Sequence, residues 1–351
     1  MSQLNRVERV GIAAACLLTA LAGLAHYAGW AAVPAFAVAT LALAALAWIV
    51  SLATEQVGEH LGPAGTGLLQ SSVGNLPELF VVIFALNVGE RVVAESAIVG
   101  SLFANALLVL GIVIVVGALR GGAGGVMRFD PKITRATATM LFACLFIIVL
   151  VGLSLSSGNP VGHHVKAISV IAAALLLSVY LAWVIPHVRA EQRPAASAAR
   201  IPLAASVILL LVAGAGSAFV SDWFVDALRP AIAQLHVSQA FAGLVIVAIA
   251  GNAVENTAGV SLAAKGQSDL AISVVVSSVA QIAAFLFPLL VIVSLALNTQ
   301  LTFALPPLYI GALAVTAITV WQVTEDGEGR AFEGWALVAI YAILAVITLY
   351  E

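Results

Sequence analysis

Charge is scarce in this sequence: 17 Asp and Glu and 14 Lys and Arg among 351 residues, 9% of the chain, where a soluble domain carries about 25%. A water-soluble globule is therefore excluded. Cysteine is scarcer still. Cys16 and Cys144 each sit inside an apolar run without a paired Cys or His spacing. That excludes a disulfide framework and a thiolate-held zinc, haem or redox centre, and both read as packing residues. There is no basic block, the net charge is only −3, and no polar stretch is long enough to fold by itself. Nucleic acid is not expected as a partner, nor is the chain expected to be an enzyme or to hold a resident cofactor.

What is abundant is apolar length. Hydrophobic residues make up 62% of the chain, and runs of the roughly 20 residues needed to cross a hydrocarbon core of about 30 Å recur from end to end. The fold class is all-α, a polytopic membrane protein in a lipid bilayer. Hydropathy and turn signals predict eleven helices: 9–26, 30–53, 67–89, 92–119, 133–155, 165–187, 201–221, 238–264, 269–297, 303–323 and 333–350. Gly-Gly-Ala-Gly-Gly at 121–125, Ser-Ser-Gly-Asn-Pro at 156–160 and the polar stretch Arg189–Arg200 with Pro194 mark breaks. The first apolar run has the outline of a signal peptide and is read as a retained helix. With the N-terminus in the cytoplasm, eleven Lys and Arg fall inside and only Arg91, Lys166 and Arg229 outside. By the positive-inside rule the N-terminus is then cytoplasmic and the C-terminus outside.

Gly74-Asn75-Leu76-Pro77-Glu78 has a counterpart in Gly251-Asn252-Ala253-Val254-Glu255, an offset of 255 − 78 = 177, and Ser101 and Ser278 keep the same offset. Two consecutive helices thus repeat in register, which implies an internal duplication. The expected organisation is an extra N-terminal helix at 1–29, a first five-helix repeat at 30–187, a linker at 188–200 and a second repeat at 201–351. An odd number of crossings per repeat inverts the second. Inverted repeats with interrupted helices meeting near the midplane are the usual build of secondary transporters. Gly74 and Pro77 weaken the third helix, and Gly243, Gly251 and Gly259 the eighth.

Glu78 and Glu255 fall near the centres of their spans, where a charged side chain costs at least roughly 2.5–3.5 kcal/mol. Nothing structural requires them there, so they are the candidate functional residues. Ser71, Asn75 and Glu78 at i, i+4, i+7 are expected on one helical face, as are Asn252 and Glu255 at i, i+3. Ser101 and Asn105, and Ser277 and Ser278 one turn before Gln281, add polar faces on the following helices. Carboxylates, amide carbonyls and hydroxyls form a hard oxygen set that suits calcium better than zinc or copper. Two carboxylates are neutralised by one divalent cation or by two protons, so competition for them couples the two ions without nucleotide, phosphorylation or redox chemistry.

These two signature segments resemble the paired repeats of the calcium/proton (cation/proton) exchanger family of the calcium/cation antiporter superfamily. Thr54 to Leu69 and Val99 to Gly111 are similar to the flanking family segments, and the resemblance covers most of 48–290. It implies an eleven-helix fold, calcium bound between the signature glutamates, and proton-driven export of cytosolic calcium. Glu78 and Glu255 would be the shared Ca2+ and H+ ligands, with Asn75, Asn252, Ser101, Asn105 and Gln281 completing or lining the site. Two departures stand out. Asn256 replaces the His that usually follows the second glutamate, and the Ser277-Ser278-Val279-Ala280-Gln281 spacing leaves the ninth-helix ligands open. The long N-terminal tail of some eukaryotic members is missing, which implies a prokaryotic plasma-membrane form. The alternatives are a sodium/calcium exchanger of the same superfamily, disfavoured by Leu76 and Ala253 where extra hydroxyls would be expected, and a cation channel, which normally needs a symmetric ring of chains.

Overall fold

Almost every apolar run becomes a helix in the computed structural model. It describes residues 5–120, 125–158, 160–190 and 200–351, while the side chains of 59, 61–72, 133, 136, 186–190, 254 and 255 lie outside the description. The Glu255, Ser71 and Glu59 side chains, Gly121 to Gly124 and most of the 188–200 linker are therefore outside the described residues.

In chain order the helices are α1 (Arg6–Tyr27), α2 (Ala32–Val73), α3 (Leu76–Asn87), α4 (Arg91–Arg120), α5 (Pro131–Ser156), α6 (Val165–Ala190) and α7 (Leu203–Leu235). They continue with α8 (Gln239–Gly251), α9 (Ala253–Ala264), α10 (Ser268–Ala296), α11 (Pro307–Thr324) and α12 (Ala331–Leu349). Among the described residues nine helices are long and apolar enough to span a membrane, and a tenth results if α8 and α9, bent by 57°, count as one. The remaining predicted span, 67–89, third in chain order, is the end of α2 followed by α3, whose 12 residues reach only about 18 Å. Two predicted ends were too early. The helix expected to stop at 53 runs on to Val73, and the one expected to stop at 221 runs on to Leu235. Polar residues at these places do not end a helix when partners satisfy them. Gln56 is fully buried and accepts the Arg200 N–H at 3.1 Å, and His60 Nε2 bonds the Ile201 carbonyl at 2.7 Å.

Starts and stops follow local chemistry. Asn5 caps α1 by accepting the Glu8 N–H at 2.8 Å while Glu8 accepts the Asn5 N–H at 2.8 Å. Asp130 caps α5, with Pro131 at the first turn where its missing N–H costs nothing. His236, at φ 54°, ends α7 in the left-handed conformation.

The chain divides into two compact units. The first comprises Met1–Ala85, Leu181–Val237 and Ala250–Val254. Here α1, α2 and α7 pack together around Ala15, Ile49, Val50 and Ala213, with Trp48, Leu209 and Leu210 against them. Phe36 packs against Phe224 with ring centroids 4.9 Å apart and the planes tilted by 33°, and Gly23 admits the Trp223 ring. Cys16 is exposed, so it is not the packing residue expected; Cys144, in the second unit, is buried. Arg200 pairs with the buried Glu8 at 2.8 Å.

The second unit comprises Leu86–Tyr180, Ser238–Ile249 and Glu255–Glu351. Its centre is α4, 78% of whose span is buried, followed by α10 at 61%, against 22–50% for the other spans. Small residues let helices close on α4: Gly100 faces the Leu244 backbone, Gly243 faces Ser96 and the Val93 carbonyl, and Gly111 and Gly334 face each other. A short antiparallel pair joins β1 (Val126–Arg128) to β2 (Glu328–Arg330), with Arg128 and Glu328 paired at 3.2 Å. Gly327 supplies the positive φ, 74°, of its turn, where a β-carbon would meet the Phe129 carbonyl.

The duplication is visible in the backbone. Adding 177 to the ends of α3 gives the ends of α9, Ala253 and Ala264, and adding it to the start of α4 gives Ser268, the start of α10. The turns before α4 and α10 repeat as well, with Gly89 at φ 87° and Gly266 at φ 76°. Even the irregularities recur: wide π-helical turns occupy Ala104–Val109 in α4 and Ile282–Leu286 in α10, both ending 177 residues apart.

Candidate ion-binding site

Each signature segment sits at a helix break. In the first unit α2 stops at Val73 and α3 starts at Leu76, leaving Gly74 and Asn75 in the turn between them. Pro77 falls in the first turn of α3, where it donates no bond that a helix needs. Glu78 lies in that same first turn and is 1% exposed. The aligned peptide dipoles put partial positive charge at this end of α3. Asn75 is buried, and its carbonyl accepts the Leu79 N–H at 2.9 Å. Its side-chain Nδ2 is buried without a hydrogen-bond partner among the described residues. The Ser221 hydroxyl reaches the Pro77 carbonyl at 3.5 Å, bracing the turn from α7.

The second signature enters this unit through Gly251 and Asn252. A β-carbon built on Gly251 would stand 3.5 Å from Glu78 Cβ and 3.9 Å from its Cγ, so the glycine backbone of one signature lies directly on the carboxylate side chain of the other. Asn252, fully buried, occupies the break between α8 and α9. The breaks correct one expectation: Asn75 and Asn252 are in turns, so neither shares a continuous helical face with the glutamate three residues on. The Glu255 side chain is outside the described residues.

The second unit carries the remaining candidates on its two most buried helices. Ser101 and Asn105 are fully buried on α4, and Asn105 Nδ2 donates to the Ser101 carbonyl at 3.0 Å. Asn105 lies in the π-helical turn, where the extra residue re-phases the side chains beyond it and loosens carbonyls from the i→i+4 ladder. Gln281, half-buried, immediately precedes the matching turn of α10. Of the serine pair, Ser278 is buried and Ser277 only partly so. The Ser278 hydroxyl and the Asn256 Oδ1 have no hydrogen-bond partner among the described residues, nor has the Thr316 hydroxyl on α11. Orphaned polar atoms of this kind mark places that water or an ion fills. Sequence reasoning passed over Thr316, because a lone Thr in an apolar helix carries no signal.

A further acidic residue, Glu95, is buried on α4 and held by Arg91 at 2.6 Å. Among the described residues no three His, Cys, Asp or Glu side chains come together as a metal cluster. The oxygens available are instead carboxylate, amide, hydroxyl and backbone carbonyl groups.

Broken, repeat-related helices carrying buried polar side chains within a bundle of apolar spans define a polytopic membrane protein of the secondary-transporter type. Comparison with known proteins gives the particular family: residues 31–186 and again 205–350 match the family described as sodium/calcium exchanger protein, and the chain belongs to it. The chain is 31% identical over 346 residues to a Ca(2+)/H(+) antiporter of Synechocystis, covering 92% of both chains. It is 29% identical to the Ca(2+)/H(+) antiporter ChaA of Bacillus subtilis, covering 98% of this chain and 99% of that one. The crystal structure of the Ca2+/H+ antiporter YfkE superposes with a TM-score of 0.82 at 25% identity, over 98% of this chain and 100% of that one. A sodium–calcium exchanger structure shares the fold at a TM-score of 0.54.

Proposed function

We propose that this protein is a secondary active antiporter that exchanges cytosolic Ca2+ for H+ by alternating access. Glu78 and Glu255 are the shared ligands of both ions, and Asn75, Asn252, Ser101, Asn105 and Gln281 complete or line the site. The observation that carries this reading is Glu78: a carboxylate 1% exposed, at the positive end of a broken helix, with the second signature's Gly251 packed on it. Burying that charge without an occupant is expensive, so the state that moves across the membrane holds either the divalent ion or protons. The two relatives described as Ca(2+)/H(+) antiporters span nearly the whole chain and support protons over sodium as the counter-ion.

The two-repeat organisation, 30–187 and 201–351 after an N-terminal helix and joined by the 188–200 linker, is supported by the double family match and by the recurring backbone offset. The positive-inside count assigns the N-terminus to the cytoplasm and the C-terminus outside, and contacts between helix ends within each unit support the grouping of ends that this topology requires. Glu8 pairs with Arg200, β1 with β2, and the Asp130 N–H with Asp269, all ends assigned inside. His26 meets Asp226, Gln239 bonds Glu90, and Asn298 bonds the Asn87 carbonyl, all ends assigned outside. The bacterial relatives support a prokaryotic plasma membrane.

The test is calcium-45 flux into liposomes holding the purified protein, driven by a pH gradient, with Glu78→Gln and Glu255→Gln alongside. Wild type accumulates Ca2+ on the acidic side and both variants are inactive. Wild-type rates in either variant, or uptake that answers only to a sodium gradient, would overturn the proposal.

A further inference from the structure

Apart from the signature helices, the second unit contains a cavity of about 240 Å3 formed by Pro131, Thr134, Arg135 and Ala138 on α5 and by Trp321, Thr324 and Glu325 at the end of α11. We propose that this cavity binds the headgroup of a zwitterionic phospholipid with a primary ammonium, a phosphatidylethanolamine, in the leaflet assigned to the cytoplasm.

Opposite charges line one small space without closing into an ion pair. Arg135 and Glu325 are both exposed, and among the described residues neither makes an ion pair within 4.0 Å. The backbone repeats the same polarity. The cavity meets the N-terminal turn of the 26-residue α5, positive by its dipole, and the C-terminal turn of α11, negative by its own. An anion alone would suit one side and a cation the other, whereas a phosphate bonded to an ammonium suits both. Arg135 offers a planar fork to phosphate oxygens, Glu325 accepts from an N–H of the ammonium, and the half-exposed Trp321 offers an indole where such rings settle at membrane interfaces.

Nearby groups do not fill this role. Thr134 spends its hydroxyl on the Pro131 and Thr324 carbonyls, Asp130 caps the Lys132 N–H, and Arg128 is paired with Glu328. A lipid is preferred over a soluble phosphate compound because an exposed apolar stripe runs on from the cavity. Ile318 lies one turn from Trp321 on α11, and Phe142 and Phe146 continue α5 beyond Ala138.

Native mass spectrometry of the detergent-purified protein, titrated with dioctanoyl phosphatidylethanolamine, phosphatidylcholine or phosphatidylglycerol and with free phosphoethanolamine, tests this. Wild type binds the ethanolamine lipid at least tenfold more tightly than the choline lipid, whose trimethylated head cannot donate to Glu325. Arg135→Gln weakens binding of the ethanolamine and glycerol lipids at least tenfold. Glu325→Gln weakens only the ethanolamine lipid and leaves phosphatidylglycerol bound as well or better, a split that general misfolding would not produce. Wild-type affinity for the ethanolamine lipid in both variants overturns the proposal, and so does binding of free phosphoethanolamine as tight as that of the lipid.

Discussion

Among single residues, Glu78 and Ser278 separate chemistry from packing. Glu78 lies against Gly251, whose β-carbon position is at ordinary contact distance, so Gly251→Ala should fold and transport while Gly251→Leu should displace the carboxylate. We expect calcium-45 flux to fall at least tenfold in the leucine variant only. Ser278 makes the complementary case. Its hydroxyl has no hydrogen-bond partner among the described residues, so Ser278→Ala removes no protein hydrogen bond. The melting temperature should hold steady or rise while the Ca2+ KM increases about tenfold, equivalent to about 1.4 kcal/mol. A lower melting temperature with unchanged KM would make Ser278 a packing residue. Arg200 behaves in the opposite way: Arg200→Gln removes the ion partner of Glu8, whose side chain is only 8% exposed and keeps the Asn5 N–H, and should cost about 1–3 kcal/mol in thermal unfolding.

Helices meet in this protein where side chains are smallest. The α4–α8 crossing in the second unit depends on Gly100 against the Leu244 backbone and on Gly243 against Ser96, with Tyr341 donating to the Leu244 carbonyl at 3.3 Å. A methyl group at either glycine meets main chain or a helix-bound hydroxyl, neither of which can swing away. Gly100→Ala and Gly243→Ala should each lose about 1–3 kcal/mol by overpacking, whereas Gly311→Ala, with nothing within 4 Å, should melt like wild type. Equal melting temperatures for all three would refute the close crossing. The paired π-helical turns belong to this scale too. They end in α4 and α10 at the duplication's own offset, and one contains the amide candidate ligand Asn105 while the other directly follows Gln281.

For the whole molecule, the prediction concerns sidedness and direction. Single cysteines at Asp326 and Asn298, both exposed, replaced into a protein lacking Cys16 and Cys144, should react with a membrane-impermeant maleimide from opposite sides of sealed vesicles. Labelling of both from one side would break the proposed topology. Under the proposed sharing of Glu78 and Glu255 by protons and Ca2+, acidifying the Ca2+-loading side should raise the apparent Ca2+ KM, and collapsing the pH gradient with an ionophore should stop accumulation without any nucleotide present.

Much of this was legible because it depends on local, additive properties. Apolar length set the spans, and nine of the predicted segments reappear as spanning helices with ends moved by a few residues or, in α2 and α7, by a dozen or more. The repeat of Gly-Asn and Glu at a fixed spacing announced the duplication that the backbone then shows in its helix ends, turns and π-helical irregularities. Other features depended on neighbours distant in the chain. Gln56 and His60 looked like the end of a helix until Arg200 and Ile201 supplied their hydrogen bonds from 144 and 141 residues away. Asn75 and Asn252 looked like members of a helical face, and the fold instead turned them into the breaks themselves. Sequence by itself determined which residues are too polar to face lipid; tertiary structure decided which of them found a protein partner and which, among the described residues, did not, because a hydrogen bond has a direction and a distance that composition does not record.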